Sequence, residues 1–394
     1  MIRREASRYI LAMSKVRPVL VISGPYQSGK TTLVRKLFPG HRYVSLSASA
    51  EARELARASP RDFLARCAAG FGGGIIIDEF RLAPELSGAI RAATAGNLRP
   101  GRFILVSSLR PQKSIVAPAS TEKLASATLL PLTIGELVRS GVRLGRDGYI
   151  HGGFMPHVYC ISGHTAGEHD AQRQNYRAGY LERCVSRLIV TGSHEALGRF
   201  MSMLAGRVGQ AVNFGTYAEA VGVSTTTIMS WVTALETGFI IFRLPCYPGG
   251  LGERVMKTPK LYFTDVGLAA HLLGIKNDKD IQRHPQVGNL FENMVVAEAL
   301  KNCRNRGKNA ELYYFRSRSG LEIDLIVKIR EDIIPIEIKC GASYCSTHGR
   351  NIEAFRKLSA KIREGYVVYN GSDRMKEKGA AEYVNYCRVG ELMF

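Results

Sequence analysis

The feature that most constrains this chain is a glycine-rich loop between an apolar run and a helical segment. The loop, Gly24-Pro25-Tyr26-Gln27-Ser28-Gly29-Lys30-Thr31-Thr32, follows Val19-Leu20-Val21-Ile22 and matches the phosphate-loop pattern G-x-x-x-x-G-K-[ST]. Its two glycines let consecutive backbone N–H groups point at phosphate oxygens. Lys30 offers a positive charge to the β- and γ-phosphates, and the Thr31 hydroxyl can ligate Mg²⁺. Since a chance match rarely falls between a buried strand and a helix, the whole loop is predicted to bind a nucleotide.

A second motif stands at the end of a later apolar run. Ile75-Ile76-Ile77-Asp78-Glu79 is a continuous β-branched stretch that ends in two carboxylates, which is typical of a central parallel strand reaching the carboxyl edge of its sheet. Asp78 is predicted to hold the Mg²⁺ of bound ATP through water, and Glu79 to orient or deprotonate the attacking water. The alternative is an acidic loop after a core strand. The motif's distance of about fifty residues from the phosphate loop favours the nucleotide site.

The next buried run ends in two hydroxyl side chains. Phe103-Ile104-Leu105-Val106-Ser107-Ser108 reaches the sheet edge where a polar sensor of the γ-phosphate sits in nucleotide-hydrolysing proteins. We predict Ser107 for that role. Ser108 in the same role, and a simple helix cap or turn, are the alternatives.

The charge balance limits the choice of partners. Lys and Arg outnumber Asp and Glu by 54 to 34, which gives a formal net charge of +20. Such an excess favours polyanions, with nucleic acid before anionic membranes and DNA before RNA. No run approaches the roughly 18 consecutive apolar residues of a membrane span, and the N-terminal Met1-Ile2-Arg3-Arg4-Glu5-Ala6 lacks the apolar core of a signal peptide. We therefore expect a cytoplasmic protein with no membrane partner and with reduced cysteines.

The segment after the first domain is rich in glycine, arginine and histidine. A metal site is one interpretation, but the spacing of its histidines and its cysteine matches no common zinc pattern. A connecting segment, followed by a helical region over residues 171–208, is the better interpretation. The residues that raise the metal alternative are His151, His157, Cys160, His164 and His169.

A helix-turn-helix pattern with a following strand comes next. Ser224 can cap a helix whose apolar positions lie at i, i+3, i+4 and i+7, namely Ile228, Trp231, Val232 and Leu235. With the strand Phe239-Ile240-Ile241-Phe242, this predicts a winged-helix unit. Residues 224–242 contain no Lys or Arg, which is unusual for a helix that reads DNA. Docking to a protein partner and binding of phosphates by Ser and Thr are therefore equal alternatives.

The last part of the chain carries a second group of chemically active residues. Glu322-Ile323-Asp324-Leu325-Ile326-Val327 alternates, so that Glu322 and Asp324 share one face of a strand. Ile336-Glu337-Ile338-Lys339 alternates as well, and residues 330–332 between the two strands suit a hairpin. Glu292 lies upstream on a predicted helix over 290–300.

An acid on one strand followed by E-x-K on the next is typical of metal-dependent nucleases. We predict that Glu292, Asp324 and Glu337 converge as Mg²⁺ ligands, and that Lys339 stabilises the developing charge or activates water. The alternative is a solvated strand face on which Glu337 and Lys339 simply pair.

Together these motifs resemble the prokaryotic AAA-type ATPases that carry a C-terminal domain of unknown function with a winged helix and a restriction-endonuclease-like core. The resemblance covers nearly the whole chain through GPYQSGKTTL, IIIDEF, FILVSS, LPLTIGEL, HGGF, VGVSTTTIMSWVTALETGFII, TPKLYFTDVGLAAHLLG, VGNLFENMVVAEAL, SGLEIDLIV and IPIEIK. The chain departs from the family at three places: Tyr26 stands where Arg is common, Leu124-Ala125-Ser126-Ala127 replaces L-A-G-R, and Cys184 replaces a frequent Asp. The loss of two arginines near the nucleotide bears on the hydrolysis rate more than on binding.

The resemblance implies an α/β protein with a three-layer P-loop ATPase domain, a helical and winged-helix middle, and an α/β restriction-endonuclease-like end. We assign residues 1–150 to the ATPase domain, 151–208 to a linker and helical region, 209–284 to the winged-helix-like region and 285–394 to the nuclease-like domain. The expected function is binding and hydrolysis of ATP to ADP with Mg²⁺, on or near nucleic acid, with a C-terminal domain that either cleaves or only binds DNA. The alternative is a nucleotide-dependent switch that binds protein partners through the winged helix and keeps an inactive nuclease-like scaffold. The oligomeric state is left open.

Overall fold

The computed structural model describes residues 2–69, 72–96, 99–111, 123–159, 166–189, 193–248, 258–307, 310–373 and 381–392. Its contacts divide the chain into two compact units. The first unit contains residues 3–130 and 304–307, and the second contains residues 1–2, 131–303 and 308–394.

A parallel five-stranded sheet lies at the centre of the first unit. Its strands in chain order are β1 (Val19–Ser23), β2 (Arg42–Ser45), β3 (Ile75–Asp78), β4 (Phe103–Ser107) and β5 (Leu124–Thr128). They lie in the order β2-β3-β4-β1-β5. Because β1 and β4 are neighbours, although they are far apart in the chain, the phosphate loop after β1 and the serines after β4 reach the same edge of the sheet. The described helices of this unit are Ala6–Ser14, Lys30–Leu37, Ala50–Ala58, Pro60–Ala68 and Leu86–Ala93, with a 3-10 turn at Phe80–Leu82.

The sheet of the first unit is buried on both faces. Alternate residues of β1 enter different apolar clusters: Val19 and Val21 lie in one, and Leu20 and Ile22 lie in the other. This explains why β1, β3 and β4 are continuous apolar runs rather than alternating ones. The result is a mixed α/β unit built on a parallel sheet.

The predicted helix over residues 51–66 is wrong in one respect, because two helices occupy that segment. Ala50–Ala58 ends at Ser59, and Pro60 begins the next helix at its first position. Proline lacks the N–H that a continuous helix would need there, whereas it is well suited to a first helical turn.

The main part of the second unit starts at residue 131, and the domain boundaries given above stay a prediction. The N–H of Leu132 donates to the carbonyl of Phe154 (2.8 Å), and the buried ammonium of Lys301 donates to the carbonyl of Leu132 (2.8 Å). A capping box between Thr133 and Glu136 then starts the next helix. These local contacts tie residues 131–154 to the second unit.

The second unit contains a helical part and a small antiparallel hairpin. The helices Phe214–Val221 and Thr225–Thr237 follow one another, capped by Asn213 and Ser224. The predicted apolar face of the later helix is buried, and strands β6 (Ile241–Leu244) and β7 (Lys260–Phe263) form the hairpin. This is the arrangement on which the winged-helix prediction depends, and the assignment itself stays a prediction. The other described helices are Ile134–Arg139, Arg146–Gly152, Ala166–Leu188, His194–Gly206, Val266–Leu272, Asp278–Arg283, Val287–Asn305 and Arg350–Arg356.

A mixed five-stranded sheet completes the second unit. Its strands are β8 (Ala310–Arg316), β9 (Glu322–Ile329), β10 (Asp332–Lys339), β11 (Tyr366–Tyr369) and β12 (Glu382–Asn385), in the order β12-β11-β10-β9-β8. Strands β8, β9 and β10 pair antiparallel, whereas β10, β11 and β12 pair parallel. The predicted hairpin between β9 and β10 forms, with Arg330 in the left-handed region at φ 56°. The unit also has 3-10 turns at Pro156–Tyr159, Ser346–Gly349 and Tyr386–Glu391.

Across the described ranges of the chain, none of the helices combines the length and the apolarity that a bilayer crossing requires. The histidine-rich segment is only partly described: Cys160 and His164 lie outside the described residues, while His151 is buried at the end of the helix Arg146–Gly152.

Candidate functional site

The phosphate loop adopts a tight turn between β1 and the helix Lys30–Leu37. Gly29 precedes the helix at φ 90°, a conformation that favours glycine. Gly24 stands at φ 157°, and a Cβ atom there would come within 2.1 Å of the carbonyl oxygen of Leu129. Both glycines are therefore required by the backbone, and the N-terminus of the helix faces the loop, where its dipole favours an anion.

The ammonium of Lys30 lies inside this loop. The side chain is 5% exposed, and Nζ donates to the carbonyls of Gly24 (2.9 Å) and Pro25 (2.7 Å). A buried positive charge held by loop carbonyls is ready to contact phosphate oxygens, because those bonds can be exchanged for stronger bonds to an anion.

Arg4 supports the same loop and was missed by the sequence analysis. Its guanidinium is buried and donates to the carbonyls of Ser28 (2.7 Å) and Leu130 (2.6 Å). An arginine in a basic chain gives no sequence signal of this role, because the two carbonyls are far from it in the chain.

Thr31 and Asp78 meet at the carboxyl edge of the first sheet. The Thr31 hydroxyl donates to Oδ2 of Asp78 (2.7 Å), and the Tyr43 hydroxyl donates to the same oxygen (2.8 Å). Burial, and then the hydrogen bond to Asp78, raise the pKa of Tyr43 to about 12. A hydroxyl and a carboxylate are the oxygen ligands that Mg²⁺ takes beside nucleotide phosphates. The residues present therefore fit the predicted ion, and Tyr43 is an additional contact that the sequence did not indicate.

Glu79 is held by the residue after β4. Its backbone is in the left-handed region at φ 54°, which is uncommon for a residue other than glycine. Oε1 accepts a hydrogen bond from the Ser108 hydroxyl, and Oε2 lies 3.4 Å from the Ser108 nitrogen and 3.3 Å from Nε of Arg81. Three donors thus fix the carboxylate beside Asp78.

The two serines after β4 have different roles. The Ser107 hydroxyl is buried, donates to the carbonyl of Leu109 (2.9 Å) and accepts from its N–H (3.1 Å). That is the local turn we gave as the alternative to a sensor. Ser108, which we named second and which follows the last residue of β4, contacts Glu79 instead.

Ser108→Ala is expected to lower kcat for ATP hydrolysis by about tenfold with little change in KM, because it removes one of the bonds that position Glu79. Ser107→Ala is the matched control: it is expected to lower the free energy of unfolding by about 1 kcal/mol without changing kcat. Steady-state phosphate release and chemical denaturation measure the two effects. Equal kcat values for the wild type and Ser108→Ala would contradict a positioning role.

In the second unit, Asp324 and Glu337 lie on neighbouring strands. Oδ2 of Asp324 accepts a hydrogen bond from the N–H of Ile338 (2.8 Å). Glu337 is almost fully buried and its Oε2 lies 2.7 Å from Nζ of Lys339. Burial, and then the charge of Asp324, raise the pKa of Glu337 to about 7. A pocket of about 520 Å³ opens next to this pair, and the predicted residues among those that line it are Glu292, Asp324 and Lys339.

Glu292 is engaged from another direction. Its Oε1 accepts a hydrogen bond from the Tyr262 hydroxyl (2.6 Å) and lies 3.3 Å from Nζ of Lys260. Burial raises the pKa of Glu292 to about 7, although Lys260 lowers it. For Lys260 itself, burial lowers the pKa, but the carboxylates of Glu292, Asp324 and Glu322 outweigh this and raise it.

The predicted Mg²⁺ triad does not fit this geometry. In the part of the chain that the structure describes, no group of three or more His, Cys, Asp or Glu side chains is arranged to hold a metal ion. The physical reason is that Glu292 and Glu337 are each engaged by an ammonium, and Asp324 by a backbone N–H. The structure brings Glu292, Asp324 and Lys339 to one pocket, and Glu337 is held beside it by Lys339.

Residues 16–138 match the family model described as an AAA domain. Residues 146–279 and 287–388 match two further models that are each described as a domain of unknown function, DUF8612 and DUF4143. The second of these matches begins at the first residue of the helix Val287–Asn305.

Two curated relatives of this chain are uncharacterized proteins of Mycobacterium tuberculosis and Mycobacterium bovis. Each is 28% identical over 338 residues, which cover 86% of this chain and 74% of the relative. Among solved structures, a Walker-type ATPase of Pyrococcus abyssi aligns at a TM-score of 0.45 and 12% identity, covering 69% of this chain and 96% of its own. The AMPPCP-bound DnaA of Aquifex aeolicus aligns at a TM-score of 0.29 and 13% identity, covering 59% of this chain and 85% of its own.

Proposed function

We propose that this chain binds ATP and hydrolyses it to ADP and phosphate. The observation that carries the proposal is the contact of 2.7 Å between the Thr31 hydroxyl and the Asp78 carboxylate. It joins the phosphate loop to the acidic strand end, two motifs that the chain keeps 47 positions apart. The same assignment is supported by the order of the elements, in which the glycine-rich loop joins a buried strand to the first turn of a helix.

Each residue of the site has a separate role in this proposal. The loop N–H groups and Lys30 bind the phosphates, and Thr31 and Asp78 would hold Mg²⁺, which neutralises charge on the β- and γ-phosphates when bound. Glu79 orients the attacking water and accepts its proton, and Ser108 fixes the Glu79 carboxylate for that task. Tyr43 keeps Asp78 in place through the second hydrogen bond to Oδ2.

We further propose that the chain acts on or near nucleic acid, with DNA preferred. The net charge of +20 supports this, because a basic surface releases counterions when it binds phosphates. The nuclease-like domain would then hold DNA or cleave it.

If this proposal is right, duplex DNA affinity falls steeply with salt, with log K roughly linear in log salt. Fluorescence anisotropy of a labelled duplex, measured from about 50 to 200 mM salt, gives the slope, which counts the phosphates contacted. A single-stranded RNA of the same length serves as the comparison. Absence of binding at about 50 mM salt would remove the nucleic-acid proposal.

A nucleotide-dependent switch that binds protein partners is the second candidate, and one surface favours it. The helix Thr225–Thr237 presents Ser224, Thr226 and Met229 to solvent, and Met229 is 49% exposed. This surface has no charge with which to hold phosphates. Met229→Lys distinguishes the two candidates: added positive charge raises DNA affinity if the helix faces DNA, and leaves it unchanged if the helix faces a protein.

A further inference from the structure

A buried ammonium lies behind Glu292, one of the acidic residues that line the pocket of the second unit. Lys260, the first residue of β7, is 5% exposed. Its Nζ lies 2.9 Å from Oε1 of Glu322 and 3.3 Å from Oε1 of Glu292. The same ammonium lies 5.2 Å from the centre of the Tyr314 ring. One lysine therefore bridges carboxylates from the helix Val287–Asn305 and from strand β9.

The charges of this region are nearly balanced by the protein itself. Lys260 compensates Glu292 and Glu322, Lys339 compensates Glu337, and Nε of Arg316 lies 3.6 Å from Oε2 of Glu322. Only Asp324 has no basic side chain within 4 Å among the described residues, and it accepts a backbone N–H. A divalent cation bound between Glu292 and Glu322 would have to displace the Lys260 ammonium from a buried position, which would leave that ammonium unpaired.

Lys260 also belongs to a continuous attachment of β7 to the helix. Tyr262 donates to Glu292, the N–H of Phe263 donates to Oδ1 of Asn293 (2.7 Å), and Nδ2 of Asn293 donates to the carbonyl of Phe263 (2.9 Å). The contact between Lys260 and Glu292 is thus one of several bonds that join this strand to this helix.

We propose that the Lys260 ammonium takes the place of a divalent cation among Glu292, Glu322 and Asp324, so that this pocket anchors strand β7 and binds no divalent metal ion. Removal of the ammonium takes from Glu292 and Glu322 the counter-charge that they share, and Asp324 adds a third carboxylate that has no ion pair among the described residues. A Lys260→Met variant should then gain a site for Mn²⁺, which takes oxygen ligands as Mg²⁺ does. The proposal does not depend on ATP hydrolysis.

Mn²⁺ titration of the nucleotide-free full chain, followed by EPR of the free ion, tests this. The variants are Lys260→Met, Asp324→Asn and their combination, with Lys279→Met as a control that removes an exposed lysine. We expect the wild type and Lys279→Met to have no Mn²⁺ site that depends on Asp324. Their Mn²⁺ binding should therefore equal that of Asp324→Asn. Lys260→Met should gain one site, at least about tenfold tighter than any wild-type binding, and lose it in the double variant.

Two results would overturn the proposal. One is a wild-type Mn²⁺ site that disappears in Asp324→Asn, and the other is a folded Lys260→Met protein with no new site. Circular dichroism establishes folding, and Lys260→Gln, which keeps a hydrogen-bond donor without the charge, replaces the methionine variant if that one does not fold. The comparison of the wild type with Asp324→Asn decides the question even if neither lysine variant is folded.

Discussion

Glu79→Gln is expected to lower kcat for ATP hydrolysis by about 10²–10⁴-fold while ATP still binds. The amide cannot accept a proton from the attacking water, so the chemical step loses its general base. Binding is preserved because Lys30 and the loop N–H groups, rather than Glu79, contact the phosphates in this account.

The measurement pairs steady-state phosphate release with equilibrium binding of a fluorescent ATP analogue. Glu85→Gln is the matched control, since Glu85 is an exposed glutamate in the segment after Glu79 and contacts no part of the proposed site. An unchanged turnover number in Glu79→Gln would contradict the assignment of Glu79 as the catalytic base.

Lys30→Ala is expected to weaken ATP binding by about ten- to a hundredfold, the effect of losing a buried charge-assisted hydrogen bond to phosphate. The loop also loses the bonds from Nζ to the carbonyls of Gly24 and Pro25, so its conformation becomes less fixed. The substitution therefore acts on both the charge and the shape of the site.

Lys36→Ala is the appropriate comparison, because Lys36 lies exposed on the same helix. The dissociation constant for ATP, measured by titration with increasing protein concentration, distinguishes the two variants. Lys36→Ala should have the dissociation constant of the wild type. Wild-type affinity in Lys30→Ala would contradict the placement of the phosphates in this loop.

The elements that the sequence predicts well are those whose signal is local. A few neighbouring residues are enough to specify the apolar runs of β1, β3 and β4 and the glycines of the loop. The parallel direction of these strands follows because their motifs all lie at the carboxyl edge of the sheet. The break at Ser59 and Pro60 was also readable, since Pro60 cannot continue a helix, but the helical periodicity on both sides concealed it.

Contacts between distant residues could not be predicted in the same way. Arg4 reaches Leu130, 126 positions away, and Lys260 reaches Glu292 across 32. A lysine that pairs with distant carboxylates leaves no recognisable pattern in the sequence, whereas Glu337 and Lys339 form the recognisable pattern E-x-K. The sequence therefore favoured a metal ion near Glu292, where the structure has the Lys260 ammonium. The choice between Ser107 and Ser108 depended on the residue at which β4 ends, and strand ends are poorly specified by the sequence.

Phosphate release from ATP by the wild-type chain tests the central claim most directly, measured with Mg²⁺, with EDTA, and with duplex DNA added to the Mg²⁺ reaction. The account predicts turnover in Mg²⁺ that EDTA abolishes, because Thr31 and Asp78 are oxygen ligands suited to that ion. No release above the Glu79→Gln background, with or without DNA, would contradict it.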